Sequence, residues 1–214
     1  MAPHPSDALS AARATYAAAS DAFLDLVAPI ALARYAGPGL GEWDLRALVG
    51  HTARSFVTVT TYLSTRADTV AARSTGEYYA LVARIAAEEG TDAIRERGLA
   101  AGAALGEHPL DALRDARAAA EEALDRLGGD DPVVETLGGG MRVSDYLPTH
   151  TFELTVHALD IAAALGTTFQ PPRDALAEAL HVAADSALEL GLGTDVLLAL
   201  TGRRPLPPGS SVVP

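Results

Sequence analysis

The stretch that decides the fold is SDYLPTHTFELTVHALDIAAALG, residues 144–166. Ser144 is a residue type that caps the start of a helix, and Gly166 is the type that commonly follows a helix end. Alanine and leucine, which favour helices, dominate the second half of the stretch. It therefore predicts one bounded helix from Asp145 to Leu165.

Four ionisable side chains lie close together on that helix. Successive residues of an α-helix advance by about 100°, which puts His150, Glu153, His157 and Asp160 within an arc of about 80°. Leucine and isoleucine border the arc, so it lies at the edge of the buried face. A carboxylate and an imidazole beside a core need a hydrogen-bond partner or a metal ion.

The spacing of Glu153 and His157 favours the metal. Residues four apart lie one helical turn apart, so both side chains can reach a single ion. A third ligand has to come from another element, and His51, on a second amphipathic segment, is the best-placed histidine. Two histidines and a carboxylate suit Zn²⁺ with one open position, but they also suit non-haem Fe(II). The alternative is a Glu/His pair at a helix edge that binds no metal.

The remaining helices follow from apolar periodicity between Gly- and Pro-rich breaks. Asp44 suits the cap of the helix that carries His51, and residues 133–143 suit either a loop or a short hairpin. Other helices are expected over 6–35 with a kink at Pro29, 75–104, 109–127, 173–190 and 194–200. The chain is 49% apolar and only 5% aromatic. The expected fold class is therefore all-α, a helical bundle.

Charge and composition exclude several kinds of partner. A formal net charge of -12 argues against nucleic acid and against an anionic membrane surface, because both need clustered cations. The amino-terminal residues lack the pattern of a signal peptide, which predicts a cytoplasmic protein. The chain has no cysteine. Thiol chemistry would therefore use a thiol from outside.

Two residues on the arc have competing interpretations. His150 could be a ligand, an outer partner of the metal, a proton shuttle or an ordinary residue of the first turn. Asp160, one turn beyond His157, could hydrogen-bond a ligand imidazole as an outer partner of the metal. A solvated aspartate at the helix edge is the competing interpretation.

Several segments together resemble one family. They are WDLRALVGH at 43–51, DYL at 145–147, ELTVHALDI at 153–161 and LTGR at 200–203. This set is similar to the mycothiol-dependent maleylpyruvate isomerase family of the DinB-like superfamily. The resemblance covers the chain from about Ala8 to Arg203.

The resemblance implies an antiparallel four-helix bundle with a small C-terminal part, here divided as 1–166 and 167–214. It implies a metal, usually zinc, on His51, Glu153 and His157, with mycothiol as a co-substrate for isomerisation or S-transfer. A Zn²⁺-activated thiol would add to an electrophilic alkene. Arg203, with Arg204 as an alternative, is the matching candidate for a cation near the developing enolate or the substrate carboxylate. The other interpretation is a basic pair at a helix C-terminus.

The function has two further alternatives. The open metal position could activate water in a hydrolase or lyase, or the bundle could bind ligands without catalysis. Substrate identity is not predicted. An Ala-rich face can pack within one chain or between two, so a homodimer is an open expectation.

Overall fold

A computed structural model describes residues 5–89 and 91–212, and the side chains of residues 5, 6 and 89–94 lie outside that description. The described chain is mainly helical, with one two-stranded sheet, which confirms the all-α class. The α-helices are α1 (Pro5–Val27), α2 (Leu45–Tyr62), α3 (Thr75–Glu89), α4 (Thr91–Ala104), α5 (Pro109–Asp125), α6 (Val143–Leu165), α7 (Arg173–Glu189) and α8 (Gly193–Leu200).

Four helices surround the main core. Helices α1, α5, α2 and α6 contact one another in a ring, while α4 packs outside on α2, and α7 packs on α6 and α3. Each of the four contributes a fully buried side chain to one hydrophobic cluster, for example Phe23, Phe56, Leu113 and Leu154. Burial of such a side chain contributes about 1.5–3 kcal/mol. The arrangement agrees with a DinB-like bundle.

The predicted first helix, 6–35, is too long at its C-terminal end, and the expected kink at Pro29 is a full break. Helix α1 ends at Val27, and a separate 3-10 helix covers Leu32–Ala36. Pro29 explains the break, because proline lacks the N–H that would continue the helix and disfavours the α conformation in the residue before it. The break turns the chain so that Tyr35 is buried in the core.

The predicted helix over 75–104 is two helices, α3 and α4. They have different partners: α3 packs mainly on α7, whereas α4 packs mainly on α2. A single straight helix could not serve both surfaces. Helical periodicity indicates the local conformation but cannot distinguish one long helix from two that follow each other closely.

Residues 133–143 contain a hairpin, with β1 (Val133–Thr136) antiparallel to β2 (Gly139–Arg142). The loop after α2 lies against it, and the amide of Ala71 donates to the carbonyl of Gly140 at 2.7 Å. A Cβ at Gly140 would lie 2.0 Å from the Thr69 carbonyl oxygen. The glycine run in this segment therefore permits close backbone contact between the loop and the hairpin.

The ends of α6 confirm one prediction and correct another. Gly166 follows the last helical residue with φ of 68°, the left-handed conformation expected of a helix stop. Ser144, in contrast, is not the cap, because α6 begins at Val143. Both the amide and the hydroxyl of Ser144 donate to Asp131, at 2.9 and 2.8 Å. The capping acceptor comes from an earlier segment of the chain.

The residues after Gly166 form the two remaining helices. Helix α7 packs against α6 and α3, and α8 packs against α7. No side chain of α8 is buried. The division at residue 166 remains a prediction. None of the described helices combines the length and apolar character needed to cross a bilayer.

Candidate metal site

His51 lies in the second turn of α2, whose start the sequence predicts correctly. The Asp44 carboxylate accepts a hydrogen bond from the Ala47 amide at 2.7 Å, so Asp44 is the N-cap. At the residue before His51, α2 and α4 are in direct backbone contact. A Cβ at Gly50 would lie 2.3 Å from the Gly102 nitrogen. This close packing fixes the part of α2 that carries His51.

Trp43 covers the other side of the histidine. The indole and the His51 imidazole are 4.7 Å apart between ring centroids, and the indole nitrogen donates to the Arg95 carbonyl at 3.2 Å. The ring lies over Gly98, where a Cβ would be 2.4 Å from an indole carbon. Trp43 thus holds the orientation of His51, besides packing at the entrance of the helix.

On α6, the i, i+4 spacing brings Glu153 and His157 into contact. Nε2 of His157 lies 3.1 Å from Oε2 of Glu153, and both side chains are only partly exposed. Nδ1 of the same imidazole lies 3.1 Å from Oδ2 of Asp160. The imidazole therefore bridges two carboxylates on one helix face. Asp160 occupies the position expected of an outer partner, and that role remains a prediction.

The fold brings His51 to this pair. One potential ligand atom from each of His51, Glu153 and His157 lies within 4.8 Å of the other two. The two imidazoles are 5.0 Å apart and nearly perpendicular, at 85°. Nδ1 of His51 is buried without a hydrogen-bond partner in the described residues. Two imidazoles and a carboxylate, converging from two helices, fit a divalent metal ion.

Electrostatics set the two histidines apart. Burial and the positive charge of His157 lower the pKa of His51 to about 4, so this ring is neutral at pH 7. Burial also lowers the pKa of His157, but its hydrogen bonds to Asp160 and Glu153 outweigh that effect and raise it to about 9. His157 therefore carries a proton at pH 7, which it would have to release to bind a metal ion.

Glu153 has a second partner that the sequence did not reveal. The hydroxyl of Tyr79 donates to its Oε1 at 2.7 Å, leaving Oε2 directed at His157. Burial raises the pKa of Glu153, but His157 and Tyr79 outweigh it and hold the pKa at about 2. Tyr79 belongs to α3, and spacing within one segment carries no information on its contact with α6.

His150 forms its hydrogen bonds with residues other than the three candidate ligands. Its Nε2 is 2.5 Å from the Tyr146 hydroxyl and 3.4 Å from the Thr58 hydroxyl. Burial lowers its pKa to about 4, so the ring is neutral at pH 7. Within the described residues, no hydrogen bond joins it to the ligand set. The structure therefore shows no direct contact through which His150 could orient a candidate ligand, and its role as an outer partner remains a prediction.

Arg203 lies at the surface after α8, and its guanidinium donates to the Thr201 carbonyl at 3.2 Å. It is not one of the described residues that line the cavity beside the metal site. The arginines that do line this cavity are Arg54 and Arg97. The structure does not bring Arg203 to the candidate ligands, and its catalytic role remains a prediction.

The cavity has a volume of about 380 Å³ and includes all three candidate ligands in its wall. This is within the usual range for small-molecule sites. Much of the wall is aromatic, formed by Trp43, Tyr62, Tyr78, Tyr79 and Tyr146. A compact, partly apolar molecule could thus lie directly beside the candidate metal site.

Residues 16–162 match the model of the mycothiol maleylpyruvate isomerase N-terminal domain. The chain belongs to this family. The family match covers more than half of the chain and includes His51, Glu153 and His157, but ends before Arg203. It relates the protein to mycothiol and to DinB-like metal-binding proteins, as the resemblance in the sequence implied. The chain has no significant match among curated proteins or solved structures.

The contact between Tyr79 and Glu153 leads to a testable prediction. Tyr79→Phe keeps the ring that packs edge-on against Phe152 but removes the hydroxyl that orients the carboxylate. Loss of such an outer partner typically lowers metal affinity by 10- to 100-fold. We expect the zinc dissociation constant, measured by competition with a chromophoric chelator, to rise by about 10-fold.

Tyr62→Phe is the matched control, because Tyr62 lines the same cavity and has no hydrogen bond to the three ligands. We expect its zinc affinity to equal that of the unmodified protein. Equal affinities in both variants would show that Tyr79 does not support the site.

Proposed function

We propose that the protein is a metal-dependent, mycothiol-dependent isomerase or S-transferase that acts on an electrophilic small molecule. The observation that carries this proposal is the convergence of His51, Glu153 and His157 at the wall of a cavity. Family membership supports mycothiol as the thiol. The absence of cysteine agrees with a thiol supplied from outside.

His51, Glu153 and His157 would hold the metal, for which we propose Zn²⁺. Three protein ligands leave a further position open, as in catalytic zinc sites. A zinc ion there supplies a positive charge that lowers the pKa of a bound thiol, since the cation stabilises the anion. Tyr79 and Asp160 hold Glu153 and His157 in orientation through their hydrogen bonds.

The reaction requires a balanced addition. The thiol sulfur forms a bond to one alkene carbon while the π bond breaks, and the thiol proton ends on the other carbon. In transfer, this adduct is the product. In isomerisation, rotation about the new single bond is followed by loss of the same thiol and proton, which restores the double bond in trans form.

The cavity supports this chemistry in two ways. Its aromatic wall can hold the apolar part of a substrate and exclude water from the reacting atoms. Most of its polar side chains lie on α2 and α6, the helices that carry the candidate ligands. A substrate held between these walls would therefore lie next to the thiol.

The test uses purified full-length protein with zinc, mycothiol and a panel of cis-alkenes conjugated to a carbonyl group. We expect mass spectrometry to detect a mycothiol adduct, or NMR to detect the trans isomer, at a rate well above the reaction without protein. Mycothiol at a hundred times its dissociation constant should also stabilise the fold by about 2.7 kcal/mol.

Glu153→Gln is the control for these measurements, because it removes the charged ligand while preserving the shape of the side chain. It should reduce the reaction to the rate without protein. An unchanged rate in this variant, or no stabilisation by mycothiol, would contradict the proposed function.

A further inference from the structure

Several arginines of this chain pair with carboxylates, and Arg54 does not. Arg13, Arg117, Arg126 and Arg204 form ion pairs with carboxylates. No hydrogen bond or ion pair engages the Arg54 guanidinium within the described part of the chain. In a chain with 28 acidic and only 16 basic residues, a partly buried guanidinium with neither a carboxylate nor a carbonyl partner is unexpected.

Arg54 lies at the cavity wall, close to the candidate metal site. It lies three residues after His51 on α2, and residues at that spacing share a helix face. Both residues line the same cavity. Its positive charge contributes to the lowered pKa of His51 and of His150, which lies on the facing helix α6. The positive charge of Arg54 therefore influences groups on both α2 and α6 where they face the cavity.

The carboxylates of the cavity wall are paired with a histidine and not with Arg54. Glu153 and Asp160 are the carboxylates of the described lining, and both bind His157. An arginine in a concave, partly apolar site has five N–H donors in a fork that matches a carboxylate. Its unused donors thus complement an anion that enters the cavity from outside.

We propose that Arg54 binds the carboxylate of the substrate and orients the substrate's electrophilic carbon toward the metal-activated thiol. This proposal rests on the proposed function and adds a substrate class to it: compact molecules with an apolar or aromatic body and one carboxylate. Arg54 is then a specificity-determining residue. It occupies the role for which the sequence suggested Arg203, because it lines the cavity and Arg203 does not.

Isothermal titration calorimetry with two matched pairs of probes tests the assignment: 4-phenylbutyrate with its amide, and butyrate with its amide. In the zinc-loaded full-length protein, we expect each carboxylate to bind more tightly than its neutral amide. Loss of a charge-assisted hydrogen-bond pair should weaken carboxylate binding by roughly 10- to 100-fold in Arg54→Gln. Amide binding should stay unchanged. Arg54→Lys, which keeps the charge but not the fork, should fall between the two.

Arg173→Gln is the matched control, because Arg173 is exposed at the start of α7 and lies outside the cavity lining. It makes the same change in net charge and should leave every affinity unchanged. Equal losses in both variants, or no preference for carboxylates over amides in either pair, would overturn the proposal.

Carboxylates also bind metals, so the titrations are repeated after removal of zinc with a chelator. We expect the Arg54-dependent preference to persist, and its disappearance would assign the carboxylate to the metal and overturn the proposal. An intact preference without any thiol adduct would refute the proposed function and keep the anion site. Formation of a thiol adduct without a preference for carboxylates would support the proposed function and refute the anion site at Arg54.

Discussion

Loss of any one of three side chains should remove tight zinc binding from this protein. His51→Ala, Glu153→Gln and His157→Ala each delete one of the converging donors. Removing an outer partner of a metal typically costs 10- to 100-fold in affinity, so removing a direct ligand should cost on the order of 100-fold or more. We expect elemental analysis of dialysed protein to show stoichiometric zinc in the unmodified chain and little in the variants.

Far-UV circular dichroism should stay mostly helical in all three variants, because the main core does not include these residues. His181→Ala is the matched histidine control, since His181 is exposed on α7. It should bind zinc like the unmodified protein. Full zinc content in all three variants would refute the site, and full content in a single variant would remove that residue from the ligand set.

Gly50→Ala should strongly destabilise the fold. At an unconstrained helix position, replacing glycine with alanine stabilises by roughly 0.5–1 kcal/mol. At Gly50 the added Cβ would lie 2.3 Å from the Gly102 nitrogen and 2.4 Å from the Ala101 carbonyl carbon, which are backbone atoms of α4. Overpacking of this kind typically costs 1–3 kcal/mol, and we expect about 3 kcal/mol because no side chain can rotate away.

Urea denaturation measures this change, with the free energy of unfolding taken from the midpoint and slope. Gly129→Ala is the control, since a Cβ at Gly129 would meet no atom within 4 Å. Its effect should stay within about 0.5 kcal/mol. A stabilised Gly50→Ala variant would mean that α2 and α4 are not in close contact in solution. Zinc affinity should also fall in Gly50→Ala, because His51 is the next residue.

The helices were predictable where local signals decide them. Asp44 and Gly166 mark the ends of α2 and α6 as expected, because caps act within one turn. Pro29 was recognised as a disturbance of the first helix, but it was predicted to kink the helix and instead ends it. The prediction of a single helix over 75–104 was also wrong. The separation of α3 from α4 follows from their packing on different helices, which no local pattern contains.

The candidate site divides in the same way. The contact of Glu153 with His157 follows from helix geometry alone, since four residues make about one turn. His51 joins the pair through the packing of α2 on α6, which the family resemblance implied but spacing could not. Neither helix geometry nor the family resemblance predicted the hydrogen bond from Tyr79 to Glu153. Arg54 left a usable signal, because it shares a helix face with His51.

The contact between Trp43 and His51 makes intrinsic tryptophan fluorescence a reporter of the candidate metal site. The chain has a single tryptophan, so all of its indole emission arises at one point, 4.7 Å from a candidate ligand. Emission from an indole responds to the charge and polarity of its immediate surroundings. Excitation at the red edge of the protein's absorption therefore reports on the surroundings of Trp43 at the cavity wall, without a dye and without altering a residue.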